Sequence, residues 1–217
     1  MGKNILVIAA TAIEINPFIK YVAKNPNQQS DIDIVVTGIG LTSTTYHLQK
    51  QLGLKKYHVV IQAGVAGCFD VSIPLGEVLT IKQDTIADQS VVELKKLKTL
   101  FNLKKVPADQ FPFQKDWLIN PYKELIKKTN LKSVKGITVN QISTDKKMIG
   151  FYKEAFNPVT ESMEGAALHF VCLMEKIPFL QLRSISNYIG ERNKKKWDMK
   201  DSVSKLNETL IRIINNY

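Results

Sequence analysis

The sequence predicts an α/β fold, a three-layer α/β/α sandwich built around a central mixed sheet. Three observations carry that expectation. Apolar, β-branched runs alternate with helical patterns from one end of the chain to the other, the signature of layered α/β architecture. The first run, Asn4 to Ala10, is continuously apolar after its Asn, as strands buried on both faces of a sheet are. At 217 residues the chain suits one sizeable domain with a full core, so residues 1–217 are read as a single unit.

In order along the chain, a helix is expected from about Ala12 to Ala23, where Ile15, Phe18, Ile19 and Val22 share a face and Pro17 is tolerable only near the start. Glu14 falls at the strand-to-helix turn. A polar turn covers Asn25 to Ser30, and a second strand runs from Ile32 to Val36 into Thr37-Gly38-Ile39-Gly40. The helix Thr42 to Leu52 opens on a Ser/Thr cluster and is stopped by Gly53. The third strand, His58 to Ala63, ends in Gly64-Val65-Ala66-Gly67. Neither glycine turn matches GxGxxG or GxxxxGK[ST]; each is either turn geometry or a flat wall for a sugar or base.

A further strand is expected over Leu75 to Ala87. Residues 88–120 lose periodicity and read as a partly helical excursion over the sheet edge, near the active site or a dimer interface, with Phe111, Phe113 and Trp117 as packing. Strand Val134 to Asn140 leads through Ser143-Thr144-Asp145 into a capped helix, Lys146 to about Ala155. A short strand, Pro158 to Ser162, opens a helix at Gly165-Ala166-Ala167. An apolar strand, Pro178 to Ile185, precedes a last helix from Met199 to Ile214.

The net charge of +10 rests on 27 Lys and only Arg183, Arg192 and Arg212. Base and phosphate recognition favours the Arg fork, so a Lys-dominated excess reads as a solvated surface rather than a nucleic-acid site. Cys68 and Cys172 fit a reducing cytoplasm, and His47, His58 and His169 lack metal-ligand spacing, so no metal and no cofactor are expected. Ile5 to Ile13 loosely imitates a secretory leader, but it is short and is followed at once by Glu14. No stretch approaches the roughly 18 apolar residues of a membrane span.

The chemistry gathers at Glu161-Ser162-Met163-Glu164-Gly165-Ala166-Ala167 and Arg183-Ser184-Ile185-Ser186-Asn187. The first run displays carboxylates at a strand-to-helix junction; the second puts Ser186 and Asn187 at a strand's carboxyl end, where open α/β sheets bind ligands. Glu161 and Glu164 are either complements of the helix's positive end or site residues. A third strand end, with Glu14, weighs toward a site.

With Thr37-Gly38-Ile39-Gly40, Gly64-Val65-Ala66-Gly67 and Ser184 through Arg192 with Lys196-Trp197, these runs resemble the purine nucleoside phosphorylase and nucleosidase superfamily over essentially the whole chain, nearest its futalosine hydrolase branch. The resemblance implies a nucleoside phosphorylase-like fold, a small-molecule nucleoside as partner, and a homodimer or larger assembly. It implies an N-ribosyl hydrolase in which Glu14 activates water, Glu164 holds the ribose hydroxyls, Met163 lies against the sugar, and Ser186, Gly64 and Asn187 complete the site. Asn187 stands where adenine-specific members carry Asp, which points to hypoxanthine as the base. Arg192 is the candidate for the benzoate carboxylate of futalosine, or belongs to a solvated charge run.

Overall fold

A computed structural model describes residues 3–26 and 31–217. Its elements are β1 (Asn4–Ala9), α1 (Ala12–Lys24), β2 (Asp31–Val36), α2 (Leu41–Leu54), β3 (Val59–Cys68), β4 (Val78–Asp84), β5 (Ser90–Glu93), β6 (Lys96–Thr99), β7 (Leu118–Ile119), α3 (Lys123–Lys128), β8 (Ser133–Thr138), α4 (Lys146–Phe156), β9 (Thr160–Ser162), α5 (Gly165–Met174), β10 (Phe179–Tyr188) and α6 (Met199–Asn215). Of the polar turn expected at Asn25 to Ser30, residues 27–30 lie outside the described residues.

The sandwich is realised where the strands are apolar on both sides. Ile5, Val7 and Ala9 of β1 pack with Ile15 and Phe18 of α1 and with Leu206 and Leu210 of α6. Leu6 and Ile8, on the other face, pack with Leu48 of α2 and with Leu168 and Val171 of α5. Alternation at period two thus serves two helical layers at once.

Beyond that region the three-layer description fails, because the sheet closes on itself. β10 lies parallel to β3 along one edge from Val60 to Cys68. The other edge of β3 is divided: β1 pairs with Val59 to Gln62, and β9 pairs with Gly67 and Cys68. From β10 the sheet continues through β4 and β8 to β9, which returns to β3. Five strands therefore form a ring, and β1 and β2 extend from it as an open sheet.

Other expectations change in detail. Gly64 to Gly67 is not a turn but the second half of β3, and β10 likewise runs on through Ser186 and Asn187. Gly53 lies inside α2 rather than ending it. Residues 88–120 form the β5–β6 hairpin, turns and β7, with no helix. The aromatics there do pack: Phe113 lies against Phe101 and Phe170, and Trp117 against Phe156. Among the described residues no helix is long and apolar enough to cross a membrane.

One buried side chain ties the ends of the chain together at Glu14. Asn207 of α6 accepts from the Phe18 N–H at 3.0 Å and donates to the Glu14 carbonyl at 2.9 Å. Those are the two groups that a regular helix bonds to each other, and Pro17 sits between them. Replacing Asn207 by Leu leaves both without their partner and is expected to lower stability by about 2–4 kcal/mol. Urea unfolding checks this; an unchanged midpoint would mean that α1 closes its own ladder.

Candidate active site

Where β1 and β9 part, Ala63 to Ala66 have no strand on that edge, and a cavity of about 330 Å³ opens there. Its wall includes Glu14, Met163, Glu164, Ser186, Asn187 and Trp197. A larger cleft of about 510 Å³, floored by Leu125, Leu180 and Ile213 beside the C-terminus, contains none of the residues singled out by sequence.

Glu14 is fixed by a motif legible in the sequence, the capping box Thr11-x-x-Glu14. Its Oε2 accepts from the Thr11 N–H at 3.0 Å and the Thr11 hydroxyl at 2.8 Å. Its Oε1 accepts from the Val65 N–H at 3.0 Å. A carboxylate oxygen has two lone-pair sites, so Oε2 is filled and Oε1 keeps one for a further donor.

Glu164 precedes α5 and is also held at both oxygens. Oε1 accepts from the Gly40 N–H at 3.1 Å, and Arg183 Nη1 stands 3.4 Å from Oε2. Gly40, at φ +92°, belongs to the turn after β2. Arg183 is buried and also donates to the Val65 carbonyl at 3.3 Å and to Gln62 at 3.0 Å. Gly64 does not line the cavity; it lies behind it. A Cβ there would stand 2.5 Å from Arg183 Nη1 and 3.1 Å from Glu14 Oε1, so the absence of a side chain is what lets the cation and the carboxylate approach.

Glu161, on β9, is a separate device. Both its oxygens are taken by Ser143, from the N–H at 3.0 Å and from the hydroxyl, which ties the Ile142 loop to the cavity wall. Burial pushes its carboxyl up, and the Ser143 bonds partly offset that. Ser186 donates to Asn187 Oδ1 at 2.9 Å, and Asn187 Nδ2 donates to the Tyr188 carbonyl at 3.3 Å, leaving one amide hydrogen free. Arg192 is exposed and not part of the wall; its guanidinium lies 5.8 Å from the centre of the Trp197 ring.

Thr11 and Ile142 are not among the site residues expected from the sequence, and Arg183 and Trp197, which fall within the runs named there, are given no role of their own. An Arg and a Gln at alternate positions of an apolar strand, Gln181 and Arg183, were the available signal for a buried polar layer. Asp84 completes that layer. Burial pushes its carboxyl up to about 6, against bonds from Thr138 and Gln181 and the nearby Arg183 charge. His169 is driven down to about 4 by burial, so its ring is neutral. Among the described residues no group of three or more His, Cys, Asp or Glu side chains is placed to hold a metal ion.

A family model described as the phosphorylase superfamily matches residues 27–217. The chain belongs to the phosphorylase superfamily. Among curated members similar to it, the 5'-methylthioadenosine/S-adenosylhomocysteine nucleosidase of Colwellia psychrerythraea is 25% identical over 174 residues, 76% of this chain and 70% of that protein. The futalosine hydrolase of Thermus thermophilus is 24% identical over 180 residues, 82% of this chain and 79% of that one. Among solved structures, a mutant of the Helicobacter pylori 5'-methylthioadenosine/S-adenosylhomocysteine nucleosidase with 5'-methylthioadenosine in its active site covers 100% of both chains at a TM-score of 0.83 and 20% identity. The chain thus shares its fold with that nucleosidase over its whole described length.

Asp84 gives a pH test. Its unfolded carboxyl titrates near 3.9, its folded one at about 6. The native state therefore binds more protons between these values, and this group's contribution to stability is lost as pH rises from about 4 to about 6. Asp84→Asn removes that slope. Urea melts at stepped pH should show the variant gaining on the unmodified protein as pH rises through this window; parallel curves would refute the assignment.

Proposed function

We propose that the protein is an N-ribosyl hydrolase that cleaves futalosine to hypoxanthine and dehypoxanthine futalosine. The observation that carries this is the pair of carboxylates, Glu14 and Glu164, each immobilised with acceptor capacity to spare, on the wall of one cavity with Asn187. Cleavage of the glycosidic bond builds positive charge on the sugar and negative charge on the departing base. Glu14 Oε1 takes a proton from the attacking water, Glu164 holds the ribose hydroxyls, and the carboxylates favour the sugar cation. Met163, on the same wall, packs on the sugar face.

Asn187 cannot donate an acidic proton, but its free amide hydrogen can serve N7 or the 6-oxo group of hypoxanthine. A 6-oxopurine spreads the charge of the departing base onto that oxygen, where a neutral donor suffices. Arg192, whose guanidinium lies 5.8 Å from the ring centre of the wall residue Trp197, takes the benzoate carboxylate.

A second reading, a methylthioadenosine or S-adenosylhomocysteine nucleosidase, is favoured by the apolar rim of Ile13, Ile39, Ile142 and Met199, which suits an alkylthio group. An Asn amide can also pair with adenine at N6 and N7. Chromatography of products from futalosine, inosine, methylthioadenosine and S-adenosylhomocysteine in phosphate-free buffer separates the two. Hypoxanthine from futalosine is expected, and adenine from methylthioadenosine alone would replace the first reading by the second. Asn187→Asp should move the preference toward adenine.

Glu14→Gln should lower kcat by about 10²–10⁴-fold. Rates equal with and without phosphate are expected, and ribosyl phosphate as product would sink hydrolysis. Arg192→Ala should slow futalosine turnover while sparing inosine.

A further inference from the structure

Glu164 occupies the N-cap of α5, where a side chain ordinarily turns back onto its own helix. It makes no such bond, because its oxygens go to Gly40 and Arg183. The first N–H groups of α5 must then be satisfied from elsewhere. Ser162 Oγ accepts from the Gly165 N–H at 3.3 Å, and Thr138 Oγ1 accepts from the Ala166 N–H at 2.8 Å. The Thr138 hydroxyl in turn donates to Asp84 Oδ1 at 2.9 Å.

We propose that Thr138 and Asp84 are positioning residues for Glu164: they cap α5 from the sheet side and leave the Glu164 carboxylate free to face the sugar. The functional consequence rests on the reading of Glu164 as the ribose-holding group.

Gly165 is part of the device. A Cβ on it would fall onto Gln181 Nε2 and Asp84 Oδ2, so only glycine lets the helix end descend onto the buried layer. A carboxylate beneath the first turn also complements the positive end of α5. The groups around Asp84 are Thr138 on β8, Gln181 and Arg183 on β10 and neutral His169 on α5.

Gln181 donates to Asp84 Oδ2 at 3.2 Å, while Gln181 Oε1 and His169 Nε2 have no partner among the described residues. A proton on Oδ2 resolves both. With the Gln181 amide turned round, Oδ2–H donates to Oε1, Nε2–H donates to His169 Nε2, and His169 Nδ1–H donates to the Leu118 carbonyl. In either state Oδ1 still accepts from Thr138. The cap therefore depends on an oxygen at this place, not on a charge.

The test compares Thr138→Val, Thr138→Ser, Asp84→Asn and Glu164→Gln. One readout is the crystal structure of Thr138→Val. The other is the ratio of kcat/KM for the nucleoside the enzyme cleaves, inosine or methylthioadenosine, over its 2'-deoxy counterpart. In Thr138→Val, Glu164 is expected to leave the Gly40 N–H and the ratio to fall about tenfold; Thr138→Ser and Asp84→Asn, which keep the oxygens, should hold it within about twofold. Should Thr138→Val not fold, Thr138→Ala removes the same hydroxyl without adding bulk.

Glu164 unmoved in the hydroxyl-free variant overturns the proposal, whatever the kinetics. So does an unchanged ratio there when Glu164→Gln abolishes it. If Glu164→Gln itself leaves the ratio intact, the ribose role of Glu164 falls, and the crystal structure alone decides the positioning claim.

Discussion

Buried backbone groups must be paired, and Val65 is a strand residue with no strand beside it on one edge. β1 has left β3 after Gln62, and β9 arrives only at Gly67. The Val65 N–H is satisfied by Glu14 and its carbonyl by Arg183. Two side chains central to the site thus stand where the missing strand would have stood. The cavity is the same gap seen from outside: a sheet dividing into ring and open extension leaves unpaired backbone at the fork, and polar side chains are drawn to it.

That arrangement is expensive unless every charge is answered. Arg183 is almost wholly buried, and isolating a guanidinium costs several kcal/mol. Glu164, Gln62 and the Val65 carbonyl share it out. Gly64 and Gly165 then have a common logic. One admits Arg183 and Glu14 beside β3, and the other admits Asp84 and Gln181 beneath α5. Both glycines are places where a polar side chain occupies the volume that a Cβ would have taken.

This is why the sequence disclosed the elements better than their closure. β1 was legible because both its faces are apolar, and α4 because Asp145 caps it by accepting from the N–H groups of Lys147 and Met148. Ring closure depends on β9, three residues long, bonding two strands at once, which no local pattern announces. Gly64 to Gly67 looked like a turn because glycine marks turns more often than close packing. Glu14, Met163, Glu164, Ser186 and Asn187, which stand out in the sequence because they fall in short polar runs at strand ends, line one cavity. Arg183 heads the run that ends in Asn187 but is otherwise counted only with the net charge, although its neighbours in the strand, Leu182 and Ile185, are signs of burial.

The same geometry bears on the choice between water and phosphate as the nucleophile. A phosphate oxyanion needs donors, either cationic side chains or free N–H groups. The donors nearest the two carboxylates are committed: the Val65 N–H to Glu14, the Gly40 N–H to Glu164, and the Nη atoms of Arg183 to Glu164, Gln62 and a carbonyl, while the free amide hydrogen of Asn187 is a single neutral donor. What remains on the wall next to Glu14 is Ala10, Ile13 and a Thr11 hydroxyl already donating to Oε2. Two carboxylates would also repel an incoming anion in a site of low polarity. A neutral molecule that donates to Glu14 Oε1 meets neither obstacle, and water is the smallest such molecule.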